Sequence, residues 1–420
     1  MRRPLTALVF LVLAALLGGS IAAGAATPND TSCRKATVSG SPSTKELLAY
    51  DACRFDKLDA AVAALKPTPA PGSTPAASST PRPSGGPTST VPSPTPSPTP
   101  SPTQPDVRPA ACVGAANTPG GADPWGGCWP GPQNTGYPRG VAGDTRKAVT
   151  LTDYTGPTTI RTCGVVIDSK TIKQDLLVEA GNGTDLTKPC VTITNSLVQG
   201  VIFSERTTWG PVVVRDSTVR PNGLSWWENV GRSNTLVERV DSTGSQGVVK
   251  CDMNCVVRDS WVHGMRLGGA YHYNAAGGNG TDRFTVEHNW LTCGDWSSKE
   301  DDVVSGSNGD AGCSAVIGFY GDYAPFTNST IRRNHLLSTF DMSTSGKNQQ
   351  SAYCLNPGYY PGKPYGTVSK VAITDNVFGR GGSGRCGVFG PVNSIGKDLG
   401  DNTWSGNRYD DGTAIPVELG

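Results

Sequence analysis

The chain has 420 residues, a formal net charge of +1, 17% charged residues and 36% hydrophobic ones. This near-neutral balance excludes a chain-wide basic surface of the kind that neutralises nucleic-acid phosphates or anionic bilayers, so neither partner is expected. Gly (53) and Pro (33) both exceed average usage, Pro partly through a linker and Gly mostly through tight turns.

In chain order, Arg2 and Arg3 precede an apolar run from Leu5 to Ile21, and Ala23-Gly24-Ala25 offers small residues for cleavage. Residues 1–26 therefore read as a secretory signal peptide, a retained membrane anchor being the alternative. The residues around Arg2-Arg3 do not support twin-arginine export. The protein is expected to be secreted, extracellular, monomeric and free of the membrane after cleavage.

Residues 27–66 form a small unit. Ser43 and Glu46 resemble a capping box, and Leu48, Ala52, Phe55, Leu58, Val62 and Leu65 recur on one helical face before Pro67. Residues 67–110 are almost wholly Pro, Ser, Thr, Ala and Gly. Such a segment buries no core and reads as a stiff polyproline spacer. Residues 111–420 are one domain by length.

Twelve cysteines in an exported chain point to disulfides. Neighbours in sequence suggest Cys33–Cys53, Cys112–Cys128, Cys163–Cys190, Cys251–Cys255, Cys293–Cys313 and Cys354–Cys386. A zinc site is the rival reading, but CxxC spacing is absent and only four His exist. No metal site is assigned.

Repetition decides the fold class. The runs VTITNSLV (191–198), VVVRDSTV (212–219), CVVRDSWV (255–262), FTVEHNWL (284–291), STIRRNHL (329–336) and VAITDNVF (371–378) share alternating apolar residues, two polar residues, then Ser or Asn. The column is Ser196, Ser217, Ser260, Asn289, Asn334, Asn376 and Asn407, with Val240 filling a gap. Its spacings are 21, 23 and 20 residues, lengthening to 29, 45, 42 and 31. A second run accompanies most of them: GVIF (200–203), GVVK (247–250), GAYHY (269–273), SAVIGFY (314–320), SAYCL (351–355) and GRCGVF (384–389). One rung of this length wraps once around a solenoid, and Asn or Ser at a bend can bond the turning backbone. The expected fold is all-β, a right-handed parallel β-helix preceded by the short helical segment and the linker. An antiparallel β-sandwich would suit the strand lengths but has no reason to repeat one polar position.

The stretches CWPGPQNTG (128–136), LTDYTGP (151–157), CVVRDSWVHG (255–264), CSAVIGFYGDYAP (313–325), DNVFGRGGSGRCGVFGP (375–391) and NRYDDG (407–412) resemble the right-handed parallel β-helix proteins of the pectate-lyase-like superfamily, and more narrowly its secreted actinobacterial members. The resemblance implies fold more strongly than activity, because that superfamily includes lyases, hydrolases, esterases and noncatalytic adhesins. Val262-His263-Gly264 and Asp301-Asp302 resemble polygalacturonase elements, but in reversed order. Neither a pectate-lyase calcium cluster nor its arginine pair is present, so pectin chemistry is not carried over.

Stacked rungs should bring Trp226, Trp227, Glu228, Lys250, Asp252, Tyr271, His272, Tyr273, Tyr320, Asp322 and Tyr323 to one flank, about 5 Å apart per rung. Aromatic faces pack on pyranose rings, and carboxylates supply hydrogen bonds or proton transfer. Each aromatic has a core-filling alternative, and each Asp a turn alternative. The expected catalytic set is Asp252, His272 and Asp322, with Glu228 in reserve; the expected contacts are Trp226, Trp227, Glu228, Lys250, Tyr271, Tyr273, Tyr320 and Tyr323. Hydrolysis would use two carboxyl groups. β-Elimination would use His272 as base, Tyr273 as donor and Lys250 or Arg266 to neutralise a uronic carboxylate, and would admit calcium as cofactor. The expected function is cleavage of an extracellular polysaccharide; the alternative is a noncatalytic cell-surface carbohydrate-binding or adhesion module, and a purely structural wall protein is a third option. His263, His288 and His335 read as structural or solvated.

Overall fold

Columns of β-branched residues stack in register through the domain. Ile167, Ile193, Val214, Val237, Val257, Val286, Ile331 and Ile373 face one another strand after strand. All are almost wholly buried. Branched side chains are stiff and fill a pleated interior well, so each added rung covers the apolar edge of the one before it.

The computed structural model describes residues 112–223, 227–265, 272–294, 312–338 and 351–420, with the backbone alone at His272 and Gly312. The signal-peptide, helical and linker assignments, Cys33–Cys53, Trp226, Tyr271, Arg266 and Asp301-Asp302 lie outside these residues. The described residues are all-β, without helices. Their main sheets have ten, nine and five strands, with smaller sheets of three and two. Every pairing between strands of these sheets is parallel, and sheet order follows chain order, as in a stacked β-solenoid. One rung illustrates the path: Val191–Thr194 lies in the nine-stranded sheet, Leu197–Val198 in the ten-stranded sheet and Ile202–Phe203 in the three-stranded sheet, and Val212–Arg215 returns to the first.

The bend between the two largest sheets explains the polar column. Ser169, Asn195, Asp216, Arg239, Asp259, His288, Arg333 and Asp375 each take a positive φ between 45° and 57°, and Gly406 sits at 65°. The residue after each bend begins the next face. Asn334 is typical. Its Nδ2 donates to Val286 O at 2.8 Å and to Asn376 Oδ1 at 3.0 Å, and its Oδ1 accepts from Asn289 N at 3.1 Å. Asn376 and Asn407 repeat the arrangement, and Ser217 and Ser260 do the same with a hydroxyl. A bend that leaves its amides without ladder partners is thus satisfied from the next rung.

Five of the expected disulfides join the described residues: Cys112–Cys128, Cys163–Cys190, Cys251–Cys255, Cys293–Cys313 and Cys354–Cys386. The second runs need two corrections. GAYHY does not enter the five-stranded sheet. The strand there is Ala276–Asn279, while His272–Tyr273 pairs with Gly312–Cys313. GRCGVF is likewise displaced by Gly390–Val392. At Ala276–Asn279 a glycine-bearing segment of weak strand propensity wins because the close approach of neighbouring backbones leaves no room for side chains. A Cβ on Gly277, for example, would collide with the Gly318 carbonyl.

Residues 112–150 form a strap that runs against the direction of the coil. Asn117 Nδ2 donates to Asp410 O on the last rung at 3.1 Å. Asp123 and Trp129 meet His288, Gly136 N donates to Arg239 O at 3.0 Å, and Arg146 reaches Asp216 at 3.2 Å. The strap lies over the outward column of the ten-stranded sheet, where Trp261, Trp290, His335 and Val377 are in register and buried.

Candidate functional site

The five-stranded sheet carries the open flank. Its strands are Val249–Lys250, Ala276–Asn279, Ala315–Tyr320, Tyr353–Asn356 and Gly390–Val392. Val249, Ala276, Ile317, Leu355 and Val392 form its inward column. The adjacent outward column is Lys250, Gly277, Gly318 and Asn356. Gly277 and its neighbour Gly278 present a floor of backbone without side chains at the open flank, while the Asn274 carboxamide sits over Gly318.

A cleft of about 180 Å³ opens over this floor, lined by Glu228, Lys250, Tyr273, Asn274, Asn279 and Tyr320 among others. Glu228 is buried at 2% exposure and accepts from Arg232 Nε at 3.1 Å. Burial pushes its carboxyl above the usual range; Arg232 and Lys250 pull the other way without offsetting it. Asp252 sits one residue past Cys251. Burial raises its carboxyl too, against Arg232 and Lys250, and Glu205 adds to the rise.

Asp322 borders the cleft through Asn279, whose Nδ2 donates to Asp322 Oδ2 at 2.8 Å and whose Oδ1 accepts from Asp322 N at 2.9 Å. The Lys363 ammonium donates to the same carboxylate at 2.7 Å. Lys363, with Asn279 after it, holds Asp322 below the ordinary carboxylate range. Lys363 also lies 5.1 Å from the centre of the Tyr320 ring and 5.2 Å from that of Tyr360.

Comparison with protein-family models, curated proteins and solved structures returned no match.

Of the expected residues, Glu228, Lys250, Tyr273 and Tyr320 share the cleft. Tyr273 is 1% exposed and packs in the core while its edge forms the cleft wall. Trp227 is exposed at the neighbouring position, tilted against Phe203 at 4.6 Å with the Arg232 guanidinium 5.5 Å from its ring centre. Asp252 and Asp322 stand beside the cleft, not among its lining residues. Tyr323 is 78% exposed, away from it. The His272 backbone lies next to Tyr273 in the two-stranded sheet.

Sequence reasoning missed Asn274, Asn279, Arg232 and Lys363. Asn274 Nδ2 donates to Ala315 O at 2.8 Å. These residues carry no periodic signal, and only the coil brings them to one place. Among the described residues, no group of three or more His, Cys, Asp or Glu is arranged to hold a metal ion.

The other polar centres are tied into the scaffold. His263 Nε2 lies 2.9 Å from Asp241 Oδ1, and the His263 ring stacks on Trp261 at 3.6 Å. His288 Nδ1 lies 2.6 Å from Asp259 and its Nε2 3.1 Å from Asp123. Burial works against its charge, but the two carboxylates outweigh it and raise its pKa to about 9. His335 stacks on Trp290, and burial alone drives its pKa to about 3, so it is neutral.

Proposed function

We propose that the chain is a secreted protein that cleaves an extracellular polysaccharide on the open flank of a right-handed parallel β-helix, in the manner of the pectate-lyase-like superfamily it resembles. The right hand is the one that parallel crossover connections take almost without exception. Five disulfides support an oxidising compartment. No helix among the described residues is long and apolar enough to cross a membrane.

The observation that carries the catalytic reading is one cleft bordered by two carboxyl groups in opposite environments. Glu228 is buried and favours its protonated form; Asp322 is held ionised by Lys363 and Asn279. Pairs of acids whose surroundings push their pKa values apart mark the acid and base of a proton-transfer site. Glycoside hydrolysis needs this division: a carboxylic acid protonates the departing oxygen, and a carboxylate activates water or attacks the sugar. In this reading Glu228 is the acid, Asp322 the carboxylate, and Lys250 and Asn274 hold hydroxyl or carboxylate groups of the sugar over the Gly277 floor. Asp252, sharing Arg232 and Lys250 with Glu228, keeps the local charge balanced.

The test is incubation of the purified chain with plant, algal and bacterial polysaccharides. New reducing ends without the ultraviolet absorbance of an unsaturated uronide mark hydrolysis. That absorbance would instead transfer the chemistry to β-elimination, with His272 as base. Retention of a glycan with no product would leave a binding module, and neither binding nor product would remove the glycan reading altogether.

A further inference from the structure

We infer that Tyr353 and Phe389 form a remote sugar-stacking subsite, so that the ligand of the open flank is a polymer spanning several rungs and not a short glycan. This inference rests on reading the cleft as a glycan site.

The cleft does not end at Tyr320. Tyr320 stacks on Tyr360 with ring centres 6.0 Å apart and planes 16° apart. The Tyr360 hydroxyl accepts from Asn356 Nδ2 at 2.6 Å, and Asn393 Nδ2 lies 3.4 Å from Asn356 Oδ1. Burial raises the Tyr360 phenol, and Tyr320 and Tyr353 add to the rise. Tyr353 then meets Phe389 at 6.0 Å. Two ring pairs, Tyr320–Tyr360 and Tyr353–Phe389, are thus carried on consecutive rungs beyond the cleft wall, joined through the Tyr353–Asn356 strand.

Register supports the same direction. Ala315, Tyr353 and Gly390 are neighbours on consecutive strands, about 4.8 Å apart per step. That repeat is close to the length of one pyranose unit, so an extended glycan lying along the coil advances roughly one sugar per rung.

Phe389 is 69% exposed, so its face adds little to the core. The turn that presents it is nevertheless firmly built. Val388 N donates to Ser351 O and Phe389 N to Ala352 O, both at 3.0 Å. The Cys354–Cys386 disulfide ties the same turn to the Tyr353 strand. At Gly387 a Cβ would lie 2.6 Å from the Tyr353 Cα, so glycine lets the turn lie flat against that strand. A hydrogen-bonded, disulfide-tied turn holding an exposed ring face matches the apolar face of one sugar in a chain.

The experiment is affinity electrophoresis of the full chain in gels containing soluble β-glucan, xylan, galactomannan or galacturonan, with the matching disaccharides as competitors. For the polymer that retains the wild type, Phe389→Ala and Tyr353→Ala should each weaken retention about tenfold, the size of one aromatic stacking contact. Phe389→Trp should restore it, and competition by the disaccharide should be the same in all variants. Unchanged polymer retention in both alanine variants, or an equal loss of disaccharide competition, would overturn the subsite while leaving the cleft reading intact. If no polymer retains the wild type, the cleft reading falls and the subsite with it.

Discussion

Two outward columns of the same coil have opposite fates. On the ten-stranded sheet, Trp261, Trp290, His335 and Val377 point away from the core yet are buried, because the strap of residues 112–150 lies across them. On the five-stranded sheet, Lys250 and Gly277 line a cleft, and Gly318 and Asn356 continue their column on the next two strands. The covered column is bulky at Trp261, Trp290 and His335 and short and polar at Thr218 and Asp241; the open one combines Lys250 with two glycines and Asn356. The titratable groups follow the same division. Under the strap, His288 is locked between Asp259 and Asp123. In the cleft, Glu228 is a buried carboxyl whose burial raises its affinity for a proton against the pull of Arg232 and Lys250.

The comparison can be broken most sharply at Glu228. Glu228→Gln keeps the shape and removes the proton, so turnover should fall by roughly two to four orders of magnitude while polymer retention persists. Asp322→Asn should do likewise, and rates measured for both against pH would reveal equal activity if the acid–base division were mistaken.

Trp129→Ala, on the covered flank, should do the reverse. Trp129 is fully buried against His288 and His335, and its removal should cost about 3–5 kcal/mol in denaturant unfolding without altering glycan retention. A stable variant with lost retention would show that the two flanks are not independent.

His288 sharpens the same point through pH. Its folded pKa, about 9, lies above that of a free imidazole. Its stabilising contribution should be complete below about pH 6.5 and vanish as pH rises through about 9. The loss should be on the order of 3 kcal/mol, since each tenfold gain in proton affinity on folding is worth about 1.4 kcal/mol. Asp123 moves the opposite way, to about 2: burial opposes its ionisation, and His288 together with the Gly127 and Trp125 amides overcomes it. Its contribution should therefore be lost only as pH falls towards about 2. Melting temperatures across this range, with His288→Asn as the flat control, measure both limbs.

The smallest effect is expected within the bend column. Asn334→Ala leaves the Asn289 amide and the Val286 carbonyl short of a partner and should cost about 1–3 kcal/mol. Asn334→Ser should recover part of it, as Ser217 and Ser260 serve the same position elsewhere.

These contrasts also explain what the sequence could reveal. The polar column from Ser196 to Asn407 was legible because each rung must satisfy the same bend, so the requirement repeats. The five disulfide pairs followed from proximity in sequence. Glu228, Lys250 and Tyr320 were found because successive rungs return to one flank, although Lys250 aligns with Gly277 and Tyr320 with Asn279, and Glu228 precedes its rung's strand. The strand at Ala276–Asn279 was hidden, since its glycines answer to crowding between backbones and not to strand propensity. The strap was hidden for a different reason: its partners lie far away in sequence, as with Asp123 and His288, 165 residues apart, and it repeats nothing. Lys363 and Asn279 were missed because both sit in non-repeating positions and matter only through Asp322.

A stack of rungs ordinarily holds together only through nearest neighbours, so it can fray from either end. The bond from Asn117 to the carbonyl of Asp410 joins residues 293 apart. With Asp123, Trp129 and Arg146 gripping intermediate rungs, loosening any one of them disturbs contacts far along the axis. Unfolding of residues 112–420 should therefore be a single cooperative event in hydrogen exchange, and the strap, whose loops close over the longest separations, should assemble last.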